Sequence, residues 1–320
     1  MHANHLSPLP QRGAFMPCVL LSGWTRVARL RMVSVVAASV LACTAQAGPV
    51  LERIKTSGVV VVAHRESSPP FSFVGKDKKP MGYAVDLCNK LVEAVGKHLG
   101  MPRLSAQYML VTPASRIAMV EEGKADLECG STTNNAERRE KVAFTVPHYI
   151  TGARYLVRGD LKIDNLGDFR GRRLVSTKDT TPLKAVIRSN SDYLLGIQVL
   201  EAPDHAKALE MVESGEADGF AMDDVLLYAL AANRPESAKL NIVGKFLTIE
   251  PLAIMLNKDD PEFKRIIDNE MKRLIVSHEA HALYERWFMQ PIPPNNRSLN
   301  LPMNYLLKDF WKYPTDRVPG

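Results

Sequence analysis

Three arginines stand at the ends of predicted strands. Guanidinium holds a carboxylate specifically, because it donates two parallel hydrogen bonds. Arg65 follows a first apolar strand, Arg116 opens the helix after a second strand, and Arg138 follows a third. Ligands of parallel α/β sheets bind beyond the carboxyl ends of the strands. With the hydroxyls of Ser131 and Thr133 beside them, the arginines predict an anion-binding site.

A second set of polar residues occupies equivalent places further along the chain. Thr181 lies between a strand and a helix, where hydroxyls and helix amides can bind an anion. His205 lies near the start of the next helix, and Asp223 and Asp224 end a short strand. A carboxylate there can accept hydrogen bonds from an ammonium group. We assign Asp223 to the ligand and Asp224 to capping the helix that follows. Cations for carboxylates and one carboxylate for an amine predict an acidic amino acid as the ligand.

These residues must be positioned by alternating strands and helices. Apolar runs and helical stripes predict a β-α-β-α-β order, which implies a parallel sheet with helices on both sides. The first cycle is predicted at 59–63, 86–99, 104–111, 115–122 and 125–129, and the second at 173–177, 182–189, 197–200, 204–214 and 218–222. Residues 123–126 and 215–218 share the pattern Gly-x-Ala-Asp. The chain is therefore predicted to form two similar α/β lobes, followed by helices at 260–276 and 283–289 and a polar, proline-containing surface tail from Asn295.

The first 47 residues of the 320 have the pattern of a secretory signal peptide. They contain four arginines and no acid, then an uncharged apolar run from Met32 to Ala42, and a small-x-small cleavage pattern that ends at Ala47. A lipoprotein anchored at Cys43 is a weaker alternative, because Leu41 fits that motif poorly. Without this segment, 37 basic and 35 acidic residues remain. The formal charge of +6 thus falls to about +2, which removes the compositional argument for nucleic acid.

Signatures of catalysis are missing from the sequence. There is no Gly-x-Ser-x-Gly elbow, no phosphate-binding loop and no dinucleotide fingerprint. His278 and His281 are three residues apart, whereas the zinc-protease helix needs four, so we predict no metal site and no cofactor. Cys88 and Cys129 are the cysteines of the exported chain, and the sequence leaves open whether they form a disulfide.

The chain resembles the exported substrate-binding proteins of ABC-type amino-acid importers, and among them the glutamate/aspartate-binding subgroup. The resemblance covers roughly residues 51–315. It is carried by the segments 64–72, 82–87, 128–138, 204–205, 222–224, 258–261 and 287–294, of which 128–138 (ECGSTTNNAER) is the most distinctive.

The resemblance implies a role for each site residue. Arg138 and Thr133 would hold the ligand α-carboxylate, and Ser131 and Asp223 would receive the α-amino group. The side-chain carboxylate would be surrounded by Arg65, Arg116 and His205, and Thr181 would contribute from the second lobe.

The family fold is the type II periplasmic-binding-protein fold, in which two α/β domains are joined by two hinge segments and the ligand lies between them. We place the crossovers near 150–155 and 243–250. Lobe 1 is then residues 48–152 and 247–320, and lobe 2 is residues 153–246. The expected protein is a periplasmic monomer that delivers an amino acid to a membrane permease and has no catalytic residue.

Three residues depart from the subgroup pattern. Pro113 stands where a serine is usual, and Lys178-Asp179 replaces Ser-Gly. If Asp179 points into the cleft, its charge opposes an acidic ligand by about 4 kcal/mol at 4 Å and a dielectric near 20. Glutamine or another polar amino acid therefore stays an alternative ligand.

An enzyme on the same fold, similar to cyclohexadienyl dehydratase or a murein lyase, is the alternative function. Such an enzyme needs a general acid or base in the cleft. His205 and Glu66 are the candidates for that role.

Overall fold

A computed structural model describes residues 48–234 and 239–318. The predicted signal peptide, including Cys43 and the cleavage site near Ala47, lies outside the described residues. Within the described ranges, no helix is both long enough and apolar enough to cross a membrane.

The first half of the chain follows the predicted alternation closely. Val59–His64 is a strand because four consecutive valines suit a strand covered on both faces. Tyr83–Leu99 is a helix whose apolar stripe, including Leu87, Leu91 and Val95, is buried. The elements in chain order are α1 (Pro49–Ser57), β1 (Val59–His64), β2 (Ser67–Ser68), β3 (Ser72–Val74), β4 (Pro80–Met81), α2 (Tyr83–Leu99), β5 (Ser105–Leu110), α3 (Arg116–Glu121), β6 (Leu127–Thr133), α4 (Ala136–Arg139), β7 (Ala143–Phe144) and β8 (Tyr149–Thr151).

The second half repeats the alternation and then returns to the first sheet. Its elements are β9 (Ala153–Arg158), a 3₁₀ turn (Leu166–Phe169), β10 (Arg173–Thr177), α5 (Thr181–Asp192), β11 (Gln198–Ala202), α6 (His205–Glu213), β12 (Gly219–Asp223), α7 (Asp224–Ala232), β13 (Leu240–Val243), β14 (Glu250–Leu256), α8 (Pro261–Val276), α9 (Glu279–Tyr284), a π-helical turn (Glu285–Met289) and α10 (Tyr305–Phe310).

Two main sheets share one topology. The first has the order β5-β1-β6-β14-β7, with β8 also paired to β14, and the second has the order β11-β10-β12-β9-β13. In each sheet three parallel strands are followed by an antiparallel one. That antiparallel strand is β14 in the first sheet and β9 in the second, and each follows a segment in which the chain passes from one sheet to the other. We call the part built on the first sheet the first lobe and the part built on the second sheet the second lobe.

The repeated Ala-Asp pattern has a structural role in both sheets. The Asp126 carboxylate accepts a hydrogen bond from the Val61 amide at 2.7 Å and pairs with Arg53. The Asp218 carboxylate accepts one from the Arg173 amide at 2.9 Å and pairs with the Arg173 guanidinium at 3.0 Å. Each aspartate thus fixes the start of its own strand against the neighbouring parallel strand.

The disulfide question is resolved, because Cys88 and Cys129 are bonded. The bond ties α2 to the middle of β6, four residues before Thr133. Both cysteines are fully buried in the first lobe. The strand that leads into the predicted ligand loop is therefore covalently anchored.

Two predictions were wrong. The tail after Asn295 is not merely an irregular surface segment, because it contains α10 and buries Leu307 and Trp311. The Trp311 indole N–H donates to the Pro147 carbonyl at 2.9 Å. Asp224 is not the helix cap: it is the first helical residue, and its carboxylate accepts from the Thr151 hydroxyl at 2.6 Å.

Candidate binding cleft between the two lobes

A small cavity lies where the strand ends of the two lobes meet. Six of the eight predicted site residues line it, together with Thr180, Pro182 and Met222; the six are Arg116, Ser131, Thr133, Thr181, His205 and Asp223. The other two predicted residues, Arg65 and Arg138, are not in its lining.

Arg65 and Arg116 are buried cations without full hydrogen bonding. Arg65 is 1% exposed and follows β1, and none of its three guanidinium nitrogens has a hydrogen-bond partner among the described residues. Arg116 is 3% exposed, and its Nε is likewise unpaired. Burial, followed by the nearby Arg116, lowers the pKa of Arg65 to about 9. Buried charges are expensive unless they are paired, so these donors are suited to receiving an anion.

Arg138 is held differently, because the loop after β6 wraps around it. Asn135 caps α4 by accepting from the Arg138 amide at 2.9 Å, and the guanidinium donates to the Thr133 carbonyl at 2.9 Å. It also reaches the Asp179 carbonyl of the second lobe at 3.4 Å. Burial, followed by the nearby Arg116, lowers the pKa of Arg138 to about 10. Its charge therefore persists at neutral pH.

The second lobe contributes uncharged imidazole and a carboxyl group. His205 begins α6, and its Nδ1 is hydrogen-bonded to the Thr177 hydroxyl at 2.8 Å. Burial lowers the pKa of His205 well below its usual value, and Arg65 and Arg116 lower it further. Burial raises the pKa of Asp223 well above its usual value, and Glu250 and Asp224 add to the rise. One oxygen of Asp223 is buried without a partner, as a residue that receives an ammonium group requires.

The sequence-based prediction of the site did not include two buried acidic residues. Glu128 in β6 is fully buried, and its Oε2 accepts from the Thr132 hydroxyl at 2.6 Å. A side chain at Gly130 would collide with Glu128 and Arg65, so glycine is needed there for the close packing. Glu250, the first residue of β14, is 2% exposed and accepts from Thr181 at 2.7 Å. Glu250 could have been found in the sequence, because it is an acidic residue at the start of an apolar strand directly after the predicted second crossover.

At the departures Lys178 and Asp179, the backbone of Asp179 takes the left-handed conformation that a glycine would also favour. Asp179 has a φ of 57°, the left-handed conformation that aspartate tolerates better than most residues. Its side chain is exposed, and its carbonyl rather than its carboxylate faces Arg138. Asp179 does not line the cavity. The repulsion expected from an inward-pointing Asp179 therefore does not arise in this conformation. Pro113 is buried near the start of α3 and supplies no hydroxyl.

A larger groove lies elsewhere, between α2 and α8. Its charged side chains largely satisfy one another, for example Arg273 with Glu270 at 2.7 Å and Arg265 with Glu262 at 2.5 Å. Glu279, the acid of the His278–His281 segment, also pairs with Arg273. No group of three or more potential metal ligands occurs in the ranges 48–234 and 239–318.

Two α/β lobes that enclose buried, oppositely charged side chains define a ligand-binding protein of the two-lobed type. Solved structures support the fold. A mutant of ArgBP from T. maritima superposes with a TM-score of 0.67 at 24% identity over 75% of this chain and 100% of that one. The solute receptor for L-cysteine of Neisseria gonorrhoeae gives 0.66 at 22% identity over 75% of this chain and 93% of that one. The type II two-lobed fold is confirmed.

Residues 60–290 match the family described as bacterial extracellular solute-binding proteins, family 3, and the chain belongs to that family. It is 39% identical to the L-glutamate/L-aspartate-binding protein of Pseudomonas aeruginosa over 84% of this chain and 89% of the relative. It is 36% identical to the glutamate/aspartate import solute-binding protein of Escherichia coli K12 over 85% of this chain and 90% of the relative. These relatives are solute-binding proteins and not enzymes, so the family and the absence of a catalytic role agree with the sequence reading.

Proposed function

We propose that this protein binds L-glutamate or L-aspartate in the periplasm and delivers it to the permease of an ABC importer. The observation that carries the proposal is that Arg65 and Arg116 have unpaired, buried donors and that Asp223, which lines the same cavity as Arg116, has an unpaired buried oxygen. Such a site matches a ligand with carboxylates at one side and an ammonium at the other. The names of the relatives in P. aeruginosa and E. coli support the same ligand class.

The proposed roles follow the resemblance and fit the placement of the residues. Arg138 and Thr133 hold the α-carboxylate. Ser131 and Asp223 receive the α-amino group. The side-chain carboxylate lies among Arg65, Arg116 and His205, and Thr181 adds a hydroxyl from the second lobe. The exposed position of the Asp179 side chain, outside the cavity lining, removes the main objection to an acidic ligand.

The proposed lobe boundaries also agree with the strand assignments. We infer that lobe 1 comprises residues 48–152 and 247–320 and that lobe 2 comprises residues 153–246. In support, β9 begins at Ala153 and β14 at Glu250, and the Leu247 amide pairs with the Ala153 carbonyl at 2.9 Å. The two crossovers therefore run side by side, as a hinge requires. The protein acts as a monomer after cleavage near Ala47.

The test is a calorimetric titration of the processed protein with glutamate, aspartate, glutamine and asparagine. We expect the two acids to bind and the two amides to bind at least about 100-fold more weakly, because an amide leaves the buried arginines unmatched. Preference for glutamine, or no heat with any of the four, would reject the acidic-ligand proposal. Incubation with prephenate or murein tests the enzyme alternative, for which we expect no product.

A further inference from the structure

Glu250 is a buried carboxylate that neither the sequence reading nor the proposed roles account for. It lies at the point where the second crossover enters β14 of the first sheet. Its Oε2 accepts a 2.7 Å hydrogen bond from the hydroxyl of Thr181, the first residue of α5 in the second lobe. This bond therefore joins the two lobes directly beside the cavity.

The direction of the next hydrogen bond follows from counting protons. A threonine hydroxyl has one proton to donate. Thr181 gives its proton to Glu250, so the 3.1 Å contact between the Thr133 and Thr181 hydroxyls requires Thr133 to be the donor. The result is a hydrogen-bond chain in which Thr133 donates to Thr181 and Thr181 donates to Glu250. Two lone pairs of the Thr133 oxygen remain free to accept.

This hydrogen-bond chain begins and ends on the first lobe. Thr133 ends β6 and Glu250 begins β14, and these strands are neighbours in the first sheet. The hydroxyl of Thr181 reaches between them from the second lobe. Separation of the lobes breaks both hydrogen bonds at once, and one of them involves a charged acceptor, the stronger type.

Two other polar contacts between the lobes are weaker. The bridge between Lys184 and Glu137 is 2.6 Å long, but both side chains are more than half exposed. Exposed ion pairs contribute little. The contact from Arg138 to the Asp179 carbonyl is long, at 3.4 Å. Thr151 also donates to Asp224 at 2.6 Å between the lobes, but it does so at the crossover that leads into β9. The hydrogen-bond chain that ends on Glu250 is the polar link that lies at the cavity itself.

We propose that Glu250 is a positioning residue that couples ligand binding to lobe closure. It holds the Thr181 hydroxyl only in the closed form, and through Thr181 it fixes the orientation of the Thr133 side chain in the cavity lining. The inference rests on the proposed function, because Thr133 and Thr181 are among the residues proposed to contact the amino acid.

The experiment measures association and dissociation rates of L-glutamate by stopped flow for Glu250→Gln, Thr181→Val and the double variant. Each single substitution should raise the dissociation rate about tenfold, because a charge-assisted hydrogen bond is lost from the closed form. The association rate should stay within about twofold, since encounter occurs with the open form. The double variant should be no worse than Thr181→Val, because both changes break one chain.

Two controls complete the comparison. Thr181→Ser keeps the hydroxyl and should restore the wild-type rate, and Lys184→Gln removes an exposed interlobe contact and should change the rate less than about twofold. Additive effects in the double variant would overturn the inference. A slower association with unchanged dissociation, or no rescue by serine, would also overturn it.

A ligand-free measurement separates this inference from the proposed function. Spin labels at exposed positions 141 and 188 report the distance between the lobes in wild type, Glu250→Gln and Thr181→Val. The closed population should fall in both variants, and identical distance distributions in all three proteins would reject the coupling. Failure of the wild type to bind glutamate or aspartate would instead reject the proposed function and leave this second measurement to decide on Glu250.

Discussion

The two sheets have the same strand topology but contribute opposite chemistry to the cleft. Each has three parallel strands, an antiparallel strand after a crossover, and an aspartate that fixes neighbouring strands. The ends of the first sheet supply Arg65, Arg116 and Arg138. The ends of the second supply an uncharged imidazole and a carboxyl group. The repeated scaffold fixes where ligand groups lie, and the residues at the strand ends decide which groups are recognised.

The largest expected effect is a loss of ligand affinity when an arginine of the first lobe is removed. Arg138→Ala should weaken glutamate binding about 1000-fold, because it removes one partner of a buried charged contact. His205→Gln in the second lobe should weaken binding only about tenfold, because the neutral imidazole provides hydrogen bonds without charge. Calorimetric titration of both variants measures the difference.

Arg139→Ala is the matched control for Arg138→Ala. Arg139 is the next residue of α4, and its guanidinium donates to the Asn134 side chain, whereas that of Arg138 donates to the carbonyl of Thr133, which lines the cavity. Its loss should change the affinity less than about threefold. Equal losses for Arg138→Ala and His205→Gln would contradict the division of charge between the lobes.

The second prediction concerns stability rather than binding. The disulfide closes a loop with a sequence separation of 41 residues in the first lobe, and no cysteine follows Cys129 in the sequence. Reduction should lower the unfolding free energy by about 4 kcal/mol through loop entropy. Hydrogen exchange should increase in α2 and β6 and stay unchanged in β10 and β12. The double variant Cys88→Ser/Cys129→Ser should be insensitive to reductant, and a uniform increase across both lobes would show that the lobes unfold as one unit.

The smallest expected effect is a difference in unfolding free energy between variants of Asp126 and Asp218, which occupy equivalent positions in the two sheets. Burial raises the pKa of Asp126, whereas at Asp218 the hydrogen bonds from Arg173 outweigh burial and lower the pKa. A lowered pKa in the folded state means that the ionised Asp218 stabilises the fold above its unfolded value near 3.8, and that this contribution is lost as the pH falls further. A raised pKa has the opposite sign, so protonation of Asp126 favours the folded state.

Asp218→Asn should therefore lower the unfolding free energy at pH 7 by about 1 kcal/mol, and Asp126→Asn by less. Urea unfolding at pH 7 and pH 4 measures both variants, with the exposed Asp192→Asn as the control. A larger loss for Asp126→Asn at pH 7 would show that its contact with Arg53 outweighs its burial.

The predictable part of this molecule was the part governed by local periodicity. The valine run of β1 and the stripe of α2 indicate their elements directly, and the arginines at strand ends point to the cleft. Glu250 and Glu128 were missed because their burial comes from packing between distant segments. The disulfide was undecidable for the same reason, since Cys88 meets Cys129 only after α2 packs on β6. In the tail, Trp311 and Leu307 are buried by contacts with residues far away in the sequence, so composition alone suggested a surface segment.

The position of β14 also has a consequence for the order in which the molecule can be assembled. β14 is an interior strand of the first sheet, between β6 and β7, yet it is synthesised after every strand of the second sheet. During vectorial export the second sheet is complete once residue 243 has emerged, while the first sheet still lacks an interior strand. Cys88 and Cys129 emerge much earlier, so an oxidant can join them before β14 arrives. The disulfide then holds α2 and β6 together until β14 pairs with the first sheet.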